Sequence, residues 1–110
     1  MKARYIQRGD SIDYTATSEI AAGDIAKVGS LVGVAKLDIK AGELGALALV
    51  GVYEVEGNGT AVEVGSVVSV DPTTGQVCAE GASGAVKFGN AVQRAAATDA
   101  TVLVRLCQGL

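Results

Sequence analysis

Thr101-Val102-Leu103-Val104-Arg105-Leu106-Cys107 alternates with a period of two. Val102, Val104 and Leu106 fall on one face of an extended chain, with Arg105 on the other. A helix would scatter these residues around its axis, so the stretch reads as a strand with one covered and one wet face. The same signature recurs upstream. Ser11 to Thr17 places Ile12, Tyr14 and Ala16 on one face, and Val86 and Phe88 flank Lys87. Ala35 to Lys40 sets Ala35, Leu37 and Ile39 against Lys36, Asp38 and Lys40, which predicts another half-wet strand. Leu44 to Val55, L-G-A-L-A-L-V-G-V-Y-E-V, is apolar on both sides. It predicts one central strand covered on both faces, emerging into solvent at Glu54 and Glu56.

Turn signals separate these runs. In Asp71-Pro72-Thr73-Thr74-Gly75, Pro fixes φ and Gly allows a positive φ at the exit, so V-V-S-V and Q-V-C-A form a hairpin. Gly57-Asn58-Gly59 and Gly81-Ala82-Ser83-Gly84 read as loops. A weak pattern recurs in Ala22-Gly23-Asp24, Ala41-Gly42-Glu43 and Val64-Gly65-Ser66, each ahead of an apolar run. It suggests repeated sharp bends where strands begin at barrel corners. Two segments compete as helices. Ser18 to Val28 is interrupted by Gly23, and Asn90 to Ala97 is Ala-rich but only about two turns long. The predicted fold is all-β: a small antiparallel β-barrel or sandwich with at most one short helix.

Composition agrees. The chain has 110 residues, 49% of them hydrophobic, with 15 Gly, no Trp, three Tyr and one Phe. Mean hydropathy is +0.37, which argues against disorder. Val suits a pleated, half-buried surface, and so few aromatics imply a thin core. Charge is uneven. Residues 1–8 carry Lys2, Arg4 and Arg8 without an acid, whereas residues 9–110 carry six basic and twelve acidic residues, a net −6. The chain therefore divides into a short basic arm, 1–8, and a single β domain, 9–110. A basic arm on an acidic body suits docking on an acidic neighbour.

The residues supply little for catalysis, and the chain reads as a non-enzyme. There is no His, so the commonest general base and metal ligand is missing. No G-x-S-x-G elbow, G-x-x-x-x-G-K-[ST] loop or G-x-G-x-x-G run occurs. Glu54, Glu56 and Glu63 could face each other across a hairpin as an acid–base group, but they read better as a solvated edge that discourages stray pairing. Arg8-Gly9-Asp10 has the integrin-type tripeptide form, which a tight turn also uses. Cys78 and Cys107 lack metal-site spacing and read as small buried hydrophobes in a chain without a secretory signal. No cofactor or metal site is expected. The longest apolar stretch is interrupted at Gly51, Tyr53 and Glu54, so no membrane span is expected. Only Arg4-Tyr5 pairs a base with an aromatic, so nucleic acid is not an expected partner.

The order of motifs resembles one family. Tyr5-Ile6-Gln7-Arg8-Gly9-Asp10 leads, followed by Ile20-Ala21-Ala22-Gly23-Asp24 and Val28-Gly29-Ser30-Leu31-Val32-Gly33-Val34-Ala35. Ala41-Gly42-Glu43-Leu44-Gly45 then runs into Leu49-Val50-Gly51-Val52-Tyr53. Val64-Gly65-Ser66-Val67-Val68, the Asp71…Thr74-Gly75 turn and Ala100-Thr101-Val102-Leu103-Val104-Arg105-Leu106 complete the set. Taken together across the whole chain, these resemble the tailed-phage capsid cement, or decoration, family. The family has also carried a predicted recombinase label, which a chain without a phosphate loop does not support. One departure is Val70, where members often place Trp or Tyr before the turn Asp.

The resemblance implies a structural virion protein that sits on the outer surface of a phage capsid and cements the shell. It implies the major capsid protein as partner, self-association as a dimer or trimer, and synthesis in the bacterial cytoplasm. Lys2, Arg4 and Tyr5 are the capsid-contact candidates. Two other readings compete. A carbohydrate-binding or enzyme-appended β-clip module would need Tyr5, Tyr14, Tyr53 or Phe88 to line a groove. A recombination accessory protein would need salt-dependent binding of single-stranded DNA.

Overall fold

The computed structural model describes residues 2–110, so Met1, the first residue of the basic arm, lies outside it. Residues 2–9 form no regular element and all are exposed. Nine strands follow: β1 (Ser11–Thr15), β2 (Ile25–Val28), β3 (Leu31–Ala35), β4 (Leu44–Ala48), β5 (Val52–Glu56), β6 (Val67–Asp71), β7 (Gln76–Cys78), β8 (Val86–Ala91) and β9 (Thr101–Leu106). The first four make an antiparallel sheet in the order β1-β4-β3-β2, and the last five close a barrel in the order β5-β7-β6-β8-β9. The fold is all-β, with no helix among the described residues. All strand pairs are antiparallel except β5 and β7, which meet at Glu56 and Gln76 in parallel.

The barrel encloses the larger core. Phe88, Val70 and Val104 are completely buried, packed with Val55, Val68, Val77, Val102 and Leu106. The alternation read in Thr101–Cys107 is the physical cause: Val102, Val104 and Leu106 point inward while Arg105 stays exposed. Val86 and Phe88 likewise flank an exposed Lys87. The sheet has a smaller core of its own, formed by Ala16, Ala26, Ala35, Ile39 and Leu47. β3 joins the two. Val32 and Val34 pack into the barrel core, and Ala35 lies in the sheet core. The strand covered on both faces is therefore β3.

The Gly motif builds the strand starts. Gly23, Gly42 and Gly65 have φ of +89°, +83° and +86°. Each turn closes through the following polar residue: Asp24 N–H donates to Ala21, Glu43 to Lys40 and Ser66 to Glu63, at 3.0, 3.0 and 3.2 Å. A positive φ at the third position of such a turn is what favours Gly there. Each turn also holds a buried Ala. Gly23 N–H donates to Ala35 O and Ala35 N–H returns to Asp24 O, both at 2.9 Å. Gly42 and Glu43 hold Ala16 in the same way, and Gly65 and Ser66 hold Ala91. Ala16, Ala35 and Ala91 are each 2% exposed. The motif thus occurs twice in the sheet and once in the barrel, and β2, β4 and β6 each begin one residue after it.

Two strand expectations need correction. Leu44–Val55 is two strands, β4 and β5, belonging to different sheets. The break falls at Gly51, whose φ is +123°. Leu106 N–H donates to Gly51 O at 2.8 Å, which fixes the crossover to β9. A uniformly apolar run has no period to show where a chain leaves one sheet for another. The second correction concerns Ala35–Lys40. β3 ends at Ala35, and Leu37 is 75% exposed although Ile39 is 3% exposed. Ala35 is held by the Gly23-Asp24 turn, and the Asp38 carboxylate accepts from Ala22 N–H at 2.8 Å. The chain bends between them before Ile39 exchanges two 2.8 Å bonds with Ile20.

Neither helix candidate is helical. Ser18–Val28 contains the Gly23 turn and β2. In Asn90–Ala97, Asn90 and Ala91 complete β8, and Ala95 exchanges two 2.9 Å bonds with Val62. The Asn90 side chain donates to Gly65 O at 3.1 Å, tying that turn to β8. The Asp71–Gly75 hairpin forms as read, with Asp71 O accepting from Gly75 N–H at 2.7 Å and its carboxylate from Thr73 N–H at 2.9 Å.

Candidate interaction surface

The arm is exposed and leads into β1. Lys2, Arg4 and Tyr5 are all exposed, Tyr5 by 78%, and the neighbouring Ile6 by 69%. These residues share one short segment. Arg8 lies apart from them in role: its guanidinium pairs with the Asp10 carboxylate at 3.3 Å. Both side chains are well exposed, so this pair contributes about 0–1 kcal/mol. It brings Arg8-Gly9-Asp10 into a local turn-like arrangement immediately before β1. Gln7 also anchors locally, its side-chain amide donating to Ser11 O at 3.1 Å.

A cleft of about 270 Å³ lies between the sheet and the barrel. Asp24, Ile25 and Val34 line it from the sheet side, and Tyr53, Glu56 and Phe88 are among its barrel-side residues. Tyr53 packs edge-on against Phe88, with ring centroids 6.2 Å apart, and its hydroxyl donates to Val50 O at 2.9 Å. Burial pushes the Tyr53 phenol up from its ordinary value of 10.0.

Tyr53 and Phe88 meet at the cleft, but Tyr14 and Tyr5 lie elsewhere. Phe88 is sealed in the barrel core, Tyr53 closes its rim, Tyr14 packs on the sheet core, and Tyr5 is on the arm. Glu54 and Glu56 both border the cleft from β5, and Glu63 lies apart from them. Glu56 accepts from the Gln76 side chain at 2.8 Å, Glu63 pairs with Arg94 at 3.3 Å, and Glu54 is exposed on β5. Cys78 and Cys107 are free and half-buried. Burial pushes the Cys78 thiol up from 9.0, and the negative charge of Asp71 adds to the shift. Among the described residues, no three Cys, Asp or Glu side chains gather as metal ligands, and no helix is long and apolar enough to cross a membrane.

Sequence reasoning missed one positioning residue. Gln108 follows β9 and reaches back to the sheet. Its side-chain carbonyl accepts from Val32 N–H at 2.9 Å, and its amide donates to Val32 O at 2.7 Å and Leu49 O at 3.2 Å. It stands in for a peptide unit where β3 and β4 diverge, and so pins the barrel's last strand to the sheet. A lone Gln near a chain end carries no sequence signal for such a role.

The fold and this surface define a class: an all-β module whose accessible features are an arm, an open sheet and a shallow cleft. The model of the phage cement protein family matches residues 6–106, and the chain belongs to that family. The family is one of structural proteins associated with the phage capsid. No curated protein and no solved structure matches the chain.

Proposed function

We propose that the protein binds the outer surface of a phage head and stabilises the shell by bridging copies of the major capsid protein. The observation that carries this reading is the family match across residues 6–106, nearly the whole β body. The architecture is compatible with it. A closed barrel gives a rigid body, and many copies spread over a lattice turn modest individual contacts into a large collective one.

Lys2, Arg4 and Tyr5 are proposed as shell contacts. Their support is physical rather than familial, because they precede the matched segment. They are exposed, and among the described residues no hydrogen bond or ion pair ties their side chains to the acidic body. A cationic arm with an exposed ring suits an acidic, partly apolar shell surface, where burial of the ring adds contact area.

The test is thermal melting of purified shells with and without the protein, followed by binding of a variant lacking residues 2–5. The reading expects decorated shells to melt at a higher temperature and the truncated protein to bind more weakly. Equal melting of bare and decorated shells would refute the cement role. Unchanged binding of the truncated protein would refute the arm assignment alone.

A further inference from the structure

The barrel has no free edge, but the four-stranded sheet ends on two, β1 and β2. The hydrogen-bond phase shows which backbone groups those edges present. On β2, Asp24 bonds to Ala35 across the hairpin, and Val28 faces Leu31 across the two-residue Gly29-Ser30 turn. Alternate residues 24, 26 and 28 therefore bond inward, and the N–H and C=O of Ile25 and Lys27 point away from β3. On β1, Ala16 N–H donates to Glu43 O and Leu49 N–H to Asp10 O. The even-numbered residues bond to β4, so Ser11, Asp13 and Thr15 present their backbone outward. Among the described residues, only the Ser11 carbonyl of these is occupied, by the Gln7 side chain.

We infer that β1 of one copy pairs antiparallel with β2 of a second copy, with Asp13 facing Lys27, so that the sheet continues from molecule to molecule. Three observations converge on this register. First, Asp13 and Lys27 both offer outward backbone, so they form a hydrogen-bonded pair, as do Thr15 and Ile25. Second, their side chains are of opposite charge and exposed, and neither takes part in an ion pair among the described residues. Shifting the register by two residues sets Asp13 against Ile25 or Gly29 and loses the charge match. Third, the faces agree. Ile12 then opposes Val28 and Tyr14 opposes Ala26, all on the side of the sheet core. Ile12, Tyr14 and Val28 are half-buried in the single chain, so pairing would cover apolar surface already turned toward that core.

The chain directions are also compatible. The sheet alternates β1, β4, β3, β2, and a β1 laid antiparallel on β2 continues the alternation. Every copy keeps the same orientation, so the contact is head-to-tail. Such a contact closes into a ring or, failing closure, runs on as an open chain. This contact lies between copies of the protein and goes beyond shell binding.

The experiment uses the isolated protein without shells, so its failure is distinct from failure of the shell reading. Light scattering coupled to size separation, over a concentration series, is expected to show multiples of 11.0 kDa. D13K and K27E should each weaken association by roughly tenfold, since an opposite-charge cross-strand pair becomes a like-charge one. The double variant D13K/K27E should recover it. A wild-type protein that stays at 11.0 kDa throughout overturns the inference, as does a single reversal without effect or a double no better than its singles. Amide exchange of the wild type needs no variant: Asp13, Thr15, Ile25 and Lys27 should be protected when concentrated and exchange faster on dilution. Fast exchange at every concentration also overturns it.

Discussion

The barrel and the sheet use the same turn motif to different ends. In the barrel, Gly65-Ser66 holds Ala91 beside a core containing Phe88, Val70 and Val104, and the strands close on themselves. In the sheet, Gly23-Asp24 and Gly42-Glu43 hold Ala35 and Ala16, but the shared core is mostly Ala with Ile39 and Leu47. The sheet also leaves Leu37 and Leu44 exposed, by 75% and 68%. The same local device therefore supports a sealed body on one side and an open-edged layer on the other. The difference lies in the side chains that the turns present to each other. Closure removes unpaired backbone, whereas an open sheet must leave it to solvent or to a neighbour.

The largest expected effect breaks the barrel. Phe88→Ala empties the centre of the main core and should cost about 3–5 kcal/mol, read as a fall in the denaturation midpoint. Leu47→Ala removes the main aliphatic side chain of the smaller core and should cost about 2–4 kcal/mol. If the sheet opens before the barrel, the Leu47 variant will lose amide protection in β1 to β4 while β6, β8 and β9 stay protected. A single concerted loss would show that the two regions unfold together.

Gln108→Ala tests the tie between them. It leaves Val32 N–H and O and Leu49 O without their partner and should cost about 1–3 kcal/mol, concentrated at the junction of β3, β4 and β9. Glu would keep the acceptor for Val32 N–H but set a carboxylate oxygen against Val32 O and Leu49 O, and should destabilise at least as much as Ala.

The smallest expected effect concerns pH. The Cys78 and Tyr53 acids are both raised on folding, so the folded state favours their neutral forms. Their contribution to stability is complete below the ordinary values of 9.0 and 10.0, and it is lost as pH rises through the higher folded values. The alkaline limb of a stability–pH curve should therefore be shallower in a Cys78→Ala variant. At pH near 8, Cys78 should alkylate more slowly in the folded chain than after denaturation.

Much of this was readable from residue order. Period-two alternation marked β1, β8 and β9 because each has one covered face. Pro72 and Gly75 marked the hairpin, and the three Gly motifs marked bends ahead of β2, β4 and β6. The failures share a cause. Leu44–Val52 is apolar throughout, so nothing in its pattern marks the change of sheet at Gly51. Leu37 sits in a perfect alternation, yet Asp38 turns back to Ala22 and the chain bends away. The candidate contacts Lys2, Arg4 and Tyr5 were legible only as charge and an aromatic ring, and the fold adds their exposure and their place ahead of an edge strand.

By itself the sequence determined that the chain is all-β, where most turns fall, that one end is basic and the rest acidic, and which family's motifs it carries. These are local properties, set by alternation, φ preferences and charge. Only the tertiary structure decided that there are two sheet systems, that β3 serves both cores, and that Gln108 joins them. It also decided that Asp13 and Lys27 stand on opposite free edges with their backbones turned outward. Those facts depend on which strands meet, and strand pairing is a long-range choice made by packing the whole chain at once.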